Sequence, residues 1–279
     1  MVSSDKKTLY VFGGAVWPSA PWLAVTALGY DDQIDVQQVN LIEGANFEPE
    51  FVRKNPAATL PTLLIPGEPN LTDTTSVIKY LITNPPKPAG KSSGTNFVAK
   101  IHEDDVDPNF ALLSARNDAE LGAKNAGVPG TFIRQRQAAL LKYAPTAPDL
   151  KSFYDAKIKA NGFLDLVYSA EVPEEIKKTW FAKSTAAWEA VRAFILNDIP
   201  AVLPESGYIG GENPGEDDFH LAAWLARIAL LTGATPKEDG VLKLKGELGG
   251  AEVPQKIVNY WKLWSATPAW AIVYKDGLH

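Results

Sequence analysis

The residues in this chain best able to do chemistry are hydroxyls and carboxylates, because it has no cysteine. Without a thiol, mixed-disulfide chemistry and Cys-based zinc sites are excluded. The three histidines, His102, His220 and His279, lie far apart with no paired metal-ligand spacing, so no metal is expected. Ser19 lies in Trp17-Pro18-Ser19-Ala20-Pro21-Trp22, between an expected strand and an expected helix. A hydroxyl there sits near the positive end of the helix dipole. Equally, serine is a favoured N-cap and Pro21 is tolerated in a first turn. Further on, Pro61 opens a short apolar run, Thr62 to Ile65, and can give no N–H to a ladder. A cis bond there turns Leu60's backbone N–H and C=O outward, beside a helix start at Asp73 or Thr74. That suits an extended peptide-like ligand bound partly as an added strand. An ordinary hairpin followed by a helix explains the same residues. Glu216-Asp217-Asp218 reads chiefly as the acidic first turn of a helix, with Asp218 reaching back to the cap, and less as an acid/base or metal cluster.

The elements that must hold these residues follow from pattern. Thr8 to Phe12 is β-rich and closed by Gly13-Gly14, Ala20 to Leu28 reads as a helix, and Ile34 to Leu41 alternates. A short helix spans Glu48 to Lys54. Thr62 to Ile65 and Leu71-Thr72 are two strands around the turn-rich Pro66–Asn70, and a helix follows with Val77, Ile78, Leu81 and Ile82 on one face. The order βαβαββα predicts an α/β domain with a mixed sheet over 1–84. Residues 85–96, rich in Pro, Gly and Ser, read as a linker. Strand signals largely vanish afterwards, so 97–279 is expected to be all-α. Its helices are predicted at Phe97–Ile101, Phe110–Leu121 beyond a break at Pro108, Thr131–Tyr143, Leu150–Val167 and Glu174–Leu196. A further helix follows Pro214-Gly215, and another lies near Val258–Trp270. Pro236 to Pro254 reads as an inserted loop.

Composition narrows the partners. The 279 residues are 46% hydrophobic and 22% charged, with net charge −6 and a pI near 5.2. A core large enough for two domains is available. The lack of a basic run argues against nucleic acid and anionic membranes. Residues 1–7 carry no apolar signal core and no segment approaches the ~20 apolar residues of a membrane span, so a cytoplasmic location is expected.

Ser19-Ala20-Pro21-Trp22-Leu23-Ala24-Val25 resembles the active-site turn of serine-type glutathione transferases of the theta and delta kind. Pro49–Pro56, Leu60-Pro61-Thr62-Leu63 and Leu71-Thr72-Asp73-Thr74 resemble that family's later signatures in order and spacing. The helix with Asp218 resembles its folding-signature helix, and Val258–Trp270 its closing helix. The resemblance implies a thioredoxin-like glutathione-binding domain followed by a helical domain, with glutathione as co-substrate. It implies Ser19 as hydrogen-bond donor to the glutathione sulfur, Leu60 and a cis Pro61 holding the cysteinyl part, and Asp73 and Thr74 holding the γ-glutamyl end. Thr59 stands where many members carry lysine, which shifts the glycine carboxylate toward Arg53, Lys54 or water. A second-substrate pocket between the domains would draw on Trp17, Trp22, Phe110 and Arg116. For each aromatic a packing role competes, and Arg116 has local carboxylates to pair with. A homodimer is implied by the family alone.

The chemistry asked of Ser19 is modest. A free thiol has a pKa of ~8.5, and lowering it by ~2 units takes about 2.7 kcal/mol. One hydrogen bond to a charged group supplies ~1.5–3 kcal/mol and a helix N-terminus ~0.3–1. The expected activity is therefore attack of a serine-activated glutathione thiol on an electrophilic or peroxidic small molecule. A non-catalytic carrier of hydrophobic metabolites on the same fold is the alternative, motivated by eight tryptophans and the missing lysine.

Overall fold

A computed structural model describes residues 6–279, so the first five residues, read above for a signal core, lie outside the described residues. The first half follows the expected order, with β1 (Lys7–Val11), α1 (Val16–Ala27), β2 (Ile34–Gln38), α2 (Pro49–Lys54), β3 (Thr62–Leu64) and α3 (Thr74–Thr83). The sheet order is β2-β1-β3, with β1 parallel to β2 and antiparallel to β3. This is the mixed, thioredoxin-like arrangement. The expected second strand of the hairpin is reduced to a single bridge, in which Leu71 exchanges backbone bonds with Leu63. Pro66 and Pro69 give no N–H there, which prevents a longer ladder.

The helices that follow are α4 (Phe97–Ile101), α5 (Pro108–Leu113), α6 (Asp118–Ala126), α7 (Val128–Tyr143), α8 (Lys151–Val167) and α9 (Glu174–Ala193). After a π-helical stretch, Phe194–Asp198, come α10 (Ile199–Val202), α11 (Glu216–Leu231), α12 (Gln255–Ser265) and α13 (Pro268–Val273). Two expectations shift. Pro108 opens a helix instead of breaking one, because a first-turn proline lacks only an N–H that has no partner. The run expected from Phe110 to Leu121 is interrupted at 114–117, where Asn117 caps α6 by accepting from Glu120 N at 2.9 Å. The expected loop at 236–254 contains a 3-10 stretch, Gly240–Gly246.

Compactness groups the chain into two units that do not follow chain order. One comprises residues 1–38, 60–111 and 188–279, and the other residues 39–59 and 112–187. In the first, Leu9, Val11, Leu23, Leu63, Val77 and Ile78 share one apolar cluster with Trp224, Trp261 and Trp264. Helix α11 packs there against α1, α3 and α4. In the second, Phe47, Val52, Leu140 and Tyr154 form a smaller core, and the Tyr154 hydroxyl donates to the Phe47 carbonyl at 2.7 Å. Six of the eight tryptophans (180, 188, 224, 261, 264 and 270) are buried, so tryptophan content reflects packing more than ligand capacity.

The expected linker is firmly anchored. Gly90 N donates to Pro214 O at 2.9 Å and Lys91 N to Gly210 O at 3.1 Å. Ser93 gives both its N–H and its hydroxyl to the Asp217 carboxylate, each at 2.9 Å. The approach is so close that a Cβ on Gly215 would lie 2.7 Å from Lys91 O, which explains glycine where a Ser or Thr cap is usual.

Candidate functional site

Ser19 is where sequence and structure part. Helix α1 begins at Val16 with Ala15 as its N-cap, four residues earlier than Ser19. Pro18 falls in the first turn, where its missing N–H costs nothing, so the helix extends back through it. Ser19 is therefore not a cap but a second-turn residue, only 1% exposed. Its hydroxyl lies 2.9 Å from Ala15 O and 2.9 Å from His279 Nδ1. His279 Nε2 faces the Val273 carbonyl at 3.0 Å, and a carbonyl only accepts, so Nε2 carries a proton. Burial lowers the His279 pKa and favours the neutral ring, so its Nδ1 competes with Ala15 O for the single Ser19 hydroxyl proton. Tyr274 packs against the His279 ring, with centroids 4.8 Å apart. Its buried phenol is raised in pKa, chiefly by desolvation. Arg227, also buried, donates to Gly14 O at 2.7 Å, and desolvation lowers it to about 10. Ser19's hydroxyl is thus buried against Ala15 O and His279 Nδ1.

The other side of α1 carries a cluster that sequence reasoning missed. Trp17 stacks on His102, with centroids 3.9 Å apart and planes at 27°. His102 Nε2 lies 2.8 Å from His220 Nδ1. His102 follows the last residue of α4, while His220 belongs to the first turns of α11 and is fully buried. Desolvation is the leading cause that pushes His102 down to about 4, partly opposed by the charge of Asp73. It pushes His220 to about 3, with His102 and Lys79 adding to the shift. Both rings are neutral at pH 7. The two histidines are 118 residues apart, so no local spacing advertises the pair.

The residues expected to cradle a peptide are placed as follows. The Leu60–Pro61 bond is cis. Among the described residues no hydrogen bond takes up the Leu60 N–H or carbonyl, although its side chain is buried. Asp73 caps α3, accepting from Ser76 N at 2.8 Å and from Ser76 Oγ at 2.7 Å, and remains exposed. Thr74 is the first residue of α3 and is 6% exposed.

Other candidates are engaged elsewhere. Arg53 and Asp149 form a two-bond ion pair at 2.8 and 3.1 Å, and Lys54 pairs with Glu50 at 3.0 Å. Thr59 accepts from Asn55 Nδ2 through its carbonyl at 2.9 Å. Arg116 pairs with Glu120 at 2.9 Å. Trp22 lies near His279, with ring centroids 6.4 Å apart, and lines a cavity of about 360 Å³ with Gly13, Gln38 and Asp276. Trp17 faces the histidine pair, about 140° further round the helix at 100° per residue. Phe110, in α5, donates its backbone N–H to Asp107 Oδ2 at 3.2 Å.

The acidic triplet is structural. Asp218 accepts from Ile209 N at 2.8 Å and from Gly210 N and Gly215 N at 2.9 Å each. Desolvation raises its pKa to about 6 despite those donors. Among the described residues there is no group of three or more His, Asp or Glu placed to hold a metal, and no helix long and apolar enough to cross a membrane.

Residues 9–89 match the family model described as glutathione S-transferase, N-terminal domain. Solved structures share the fold over nearly the whole chain. One is the β-etherase LigF from Sphingobium sp. strain SYK-6, with a TM-score of 0.55 and 13% identity over 97% of this chain and 99% of that one. A second is a maleyl pyruvate isomerase, a bacterial glutathione S-transferase in the zeta class, with a TM-score of 0.51 and 14% identity over 95% of each chain. A third is a glutathione transferase homolog from Lodderomyces elongisporus with two GSH per subunit, at 0.50 and 16% over 97% of this chain and 98% of that one. Among curated protein sequences no match is found. The cis Pro61 turn, the capped α3 and the mixed sheet define a thioredoxin-like domain joined to a helical part. The chain has the glutathione transferase fold, and its residues 9–89 match the glutathione S-transferase N-terminal domain.

Proposed function

We propose that this protein binds glutathione and directs its thiol at an electrophilic or peroxidic small molecule. The observation that carries the reading is Leu60, whose backbone N–H and carbonyl are unpaired beside the cis Pro61 and so available to pair with the cysteinyl residue of a peptide. Asp73, exposed at the start of α3, supplies a carboxylate for the γ-glutamyl ammonium, and Thr74 opens the same helix.

The thiol-activating group is the part of the reading that the sequence and the geometry weigh differently. A serine mechanism through Ser19 requires its hydroxyl to turn away from Ala15 and His279 and reach solvent. In the conformation described, the donors open to a thiolate at this end of α1 are the first-turn backbone N–H groups, which no capping side chain takes up. Each hydrogen bond to a thiolate contributes about 1.5–3 kcal/mol, so two of them suffice to lower its pKa by the ~2 units needed. The test is calorimetry of glutathione binding together with the ultraviolet absorbance of the bound thiolate, in wild type, Ser19→Ala and Asp73→Ala. Asp73→Ala is expected to weaken binding about tenfold or more. Ser19→Ala is expected to leave thiolate absorbance within about twofold. Loss of the thiolate signal in Ser19→Ala would restore the serine mechanism, and no glutathione binding by wild type would remove the proposal altogether.

A further inference from the structure

We infer that His102 is a ligand-binding residue of the glutathione site, donating its Nδ1–H to an anionic group of the bound peptide, and that His220 is the residue that positions it. The inference rests on the glutathione reading above and adds a donor to it.

The argument starts from the rings. His102 is stacked flat on Trp17 and met edge-on by His220, whose ring plane is 78° away at a centroid distance of 4.9 Å. One stacked face and one bonded nitrogen leave the imidazole a single orientation. Proton placement follows from burial. His220 Nε2 is buried with no partner. An unpartnered lone pair costs less than an unpartnered N–H, so the neutral His220 carries its proton on Nδ1 and donates to His102 Nε2. The neutral His102 must then carry its own proton on Nδ1. Among the described residues Nδ1 has no protein partner, and the ring keeps some exposure.

The surroundings say what such a donor serves. Asp73 acts on His102 electrostatically, and Lys79, also on α3, acts on His220. The amino-acid end of a γ-glutamyl peptide carries an ammonium and a carboxylate on one carbon. A carboxylate such as Asp73 meets the ammonium. The neighbouring carboxylate can be met by an uncharged N–H donor, a hydrogen bond to a charged acceptor. A desolvated imidazole held neutral by its neighbours is such a donor. The same donor geometry would serve a thiolate, the other anion of glutathione.

The experiment uses the full chain at pH 7.5 and calorimetry with two probes, glutathione and S-methylglutathione, the second of which cannot form a thiolate. His102→Phe keeps a ring for Trp17 and removes the donor. It is expected to weaken both probes about ten- to hundredfold, and His102→Gln, whose amide N–H can donate, is expected to recover part of the loss. A loss confined to glutathione keeps His102 as a donor and moves its acceptor to the thiolate. Unchanged affinity for both probes in His102→Phe overturns the inference while leaving the glutathione reading intact. Failure of the wild type to bind either probe defeats the glutathione reading itself. For His220 the readout is the nitrogen-resolved imidazole spectrum, with His102 expected as one Nδ1–H tautomer in wild type and as a mixture in His220→Leu. An unchanged single tautomer would overturn the positioning role.

Discussion

Helix α1 separates two buried imidazole clusters that resemble each other in composition and differ in what they can do. On one side, His279 meets the Ser19 hydroxyl at 2.9 Å and the Val273 carbonyl at 3.0 Å, with Tyr274 against its ring. Both of its nitrogens are used and His279 is 5% exposed, its edge lining the cavity of about 360 Å³ that Trp22 also lines. On the other side, His220 is buried and spends one nitrogen on His102, while His102 retains exposure and an unpartnered Nδ1. An imidazole with both nitrogens engaged by protein acts as structure, although the Tyr274 hydroxyl and Arg227 Nε beside it are buried without a partner. A residual unmet donor at partial exposure is what a ligand can use. The serine that local sequence marks for chemistry lies in the His279 cluster, and the histidine that local sequence leaves unmarked lies in the other.

The comparison can be tested by removing one member at a time. The largest effect is expected from His220→Ala, which leaves a cavity in the body of α11 and strips His102 of its partner. A loss of about 2–4 kcal/mol in urea-unfolding stability is expected. A change below about 0.5 kcal/mol would show that the pair carries no structural weight. His279→Ala should cost about 1–3 kcal/mol and leave glutathione affinity unchanged. A matching loss of affinity would place the His279 cluster inside the ligand site and collapse the contrast between the two sides. Ser19→Ala is milder, about 0.5–1.5 kcal/mol, because alanine suits a helix interior and only one buried hydrogen bond is lost. The double variant Ser19→Ala/His279→Ala should be less destabilised than the sum of the two, since they share that bond.

The smallest effect is the pH response. His102, His220 and His279 all have pKa values lowered in the fold. The unfolded chain therefore binds more protons than the native state once pH falls below about 6.5, and stability drops on acidification. Between pH 7 and 6 each buried imidazole contributes a loss below about 1 kcal/mol. Asp218, raised to about 6, works in the opposite direction. Its ionisation weakens the fold as pH rises from about 4 through 6, so on acidification it offsets a small part of the histidine loss between pH 7 and 6 and more below. Melting temperature measured from pH 7 to 6 at constant ionic strength should fall, and should fall less in His279→Ala. A flat or rising profile would mean the rings are charged in the native state.

Much of the fold was legible because it is written in local pattern. The strand–helix order, the cap at Asp73, the reach of Asp218 to Gly215 and the cis Pro61 turn depend on residues a few positions apart. The start of α1 was misplaced because Pro18 and Pro21 suggest a boundary, yet a first-turn proline and one further lost hydrogen bond are tolerated when Leu23, Ala24 and Val25 are buried. The linker composition at 85–96 was read without the backbone bonds from Gly90 and Lys91 that anchor it. The ion pairs of Arg53 with Asp149 and Arg116 with Glu120 are invisible to motif reading, the first because its partners lie 96 residues apart.

By itself the sequence determined which chemistries were absent, since a chain without cysteine has no thiolate of its own, and it determined the order of elements and their caps. Tertiary structure alone decided which titratable groups meet. The Ser19–His279 pair spans 260 residues and the His102–His220 pair 118, distances across which periodicity and propensity carry no information. Burial then set the properties of each pair. Desolvation keeps the rings neutral, and packing decides which nitrogen remains available to a ligand.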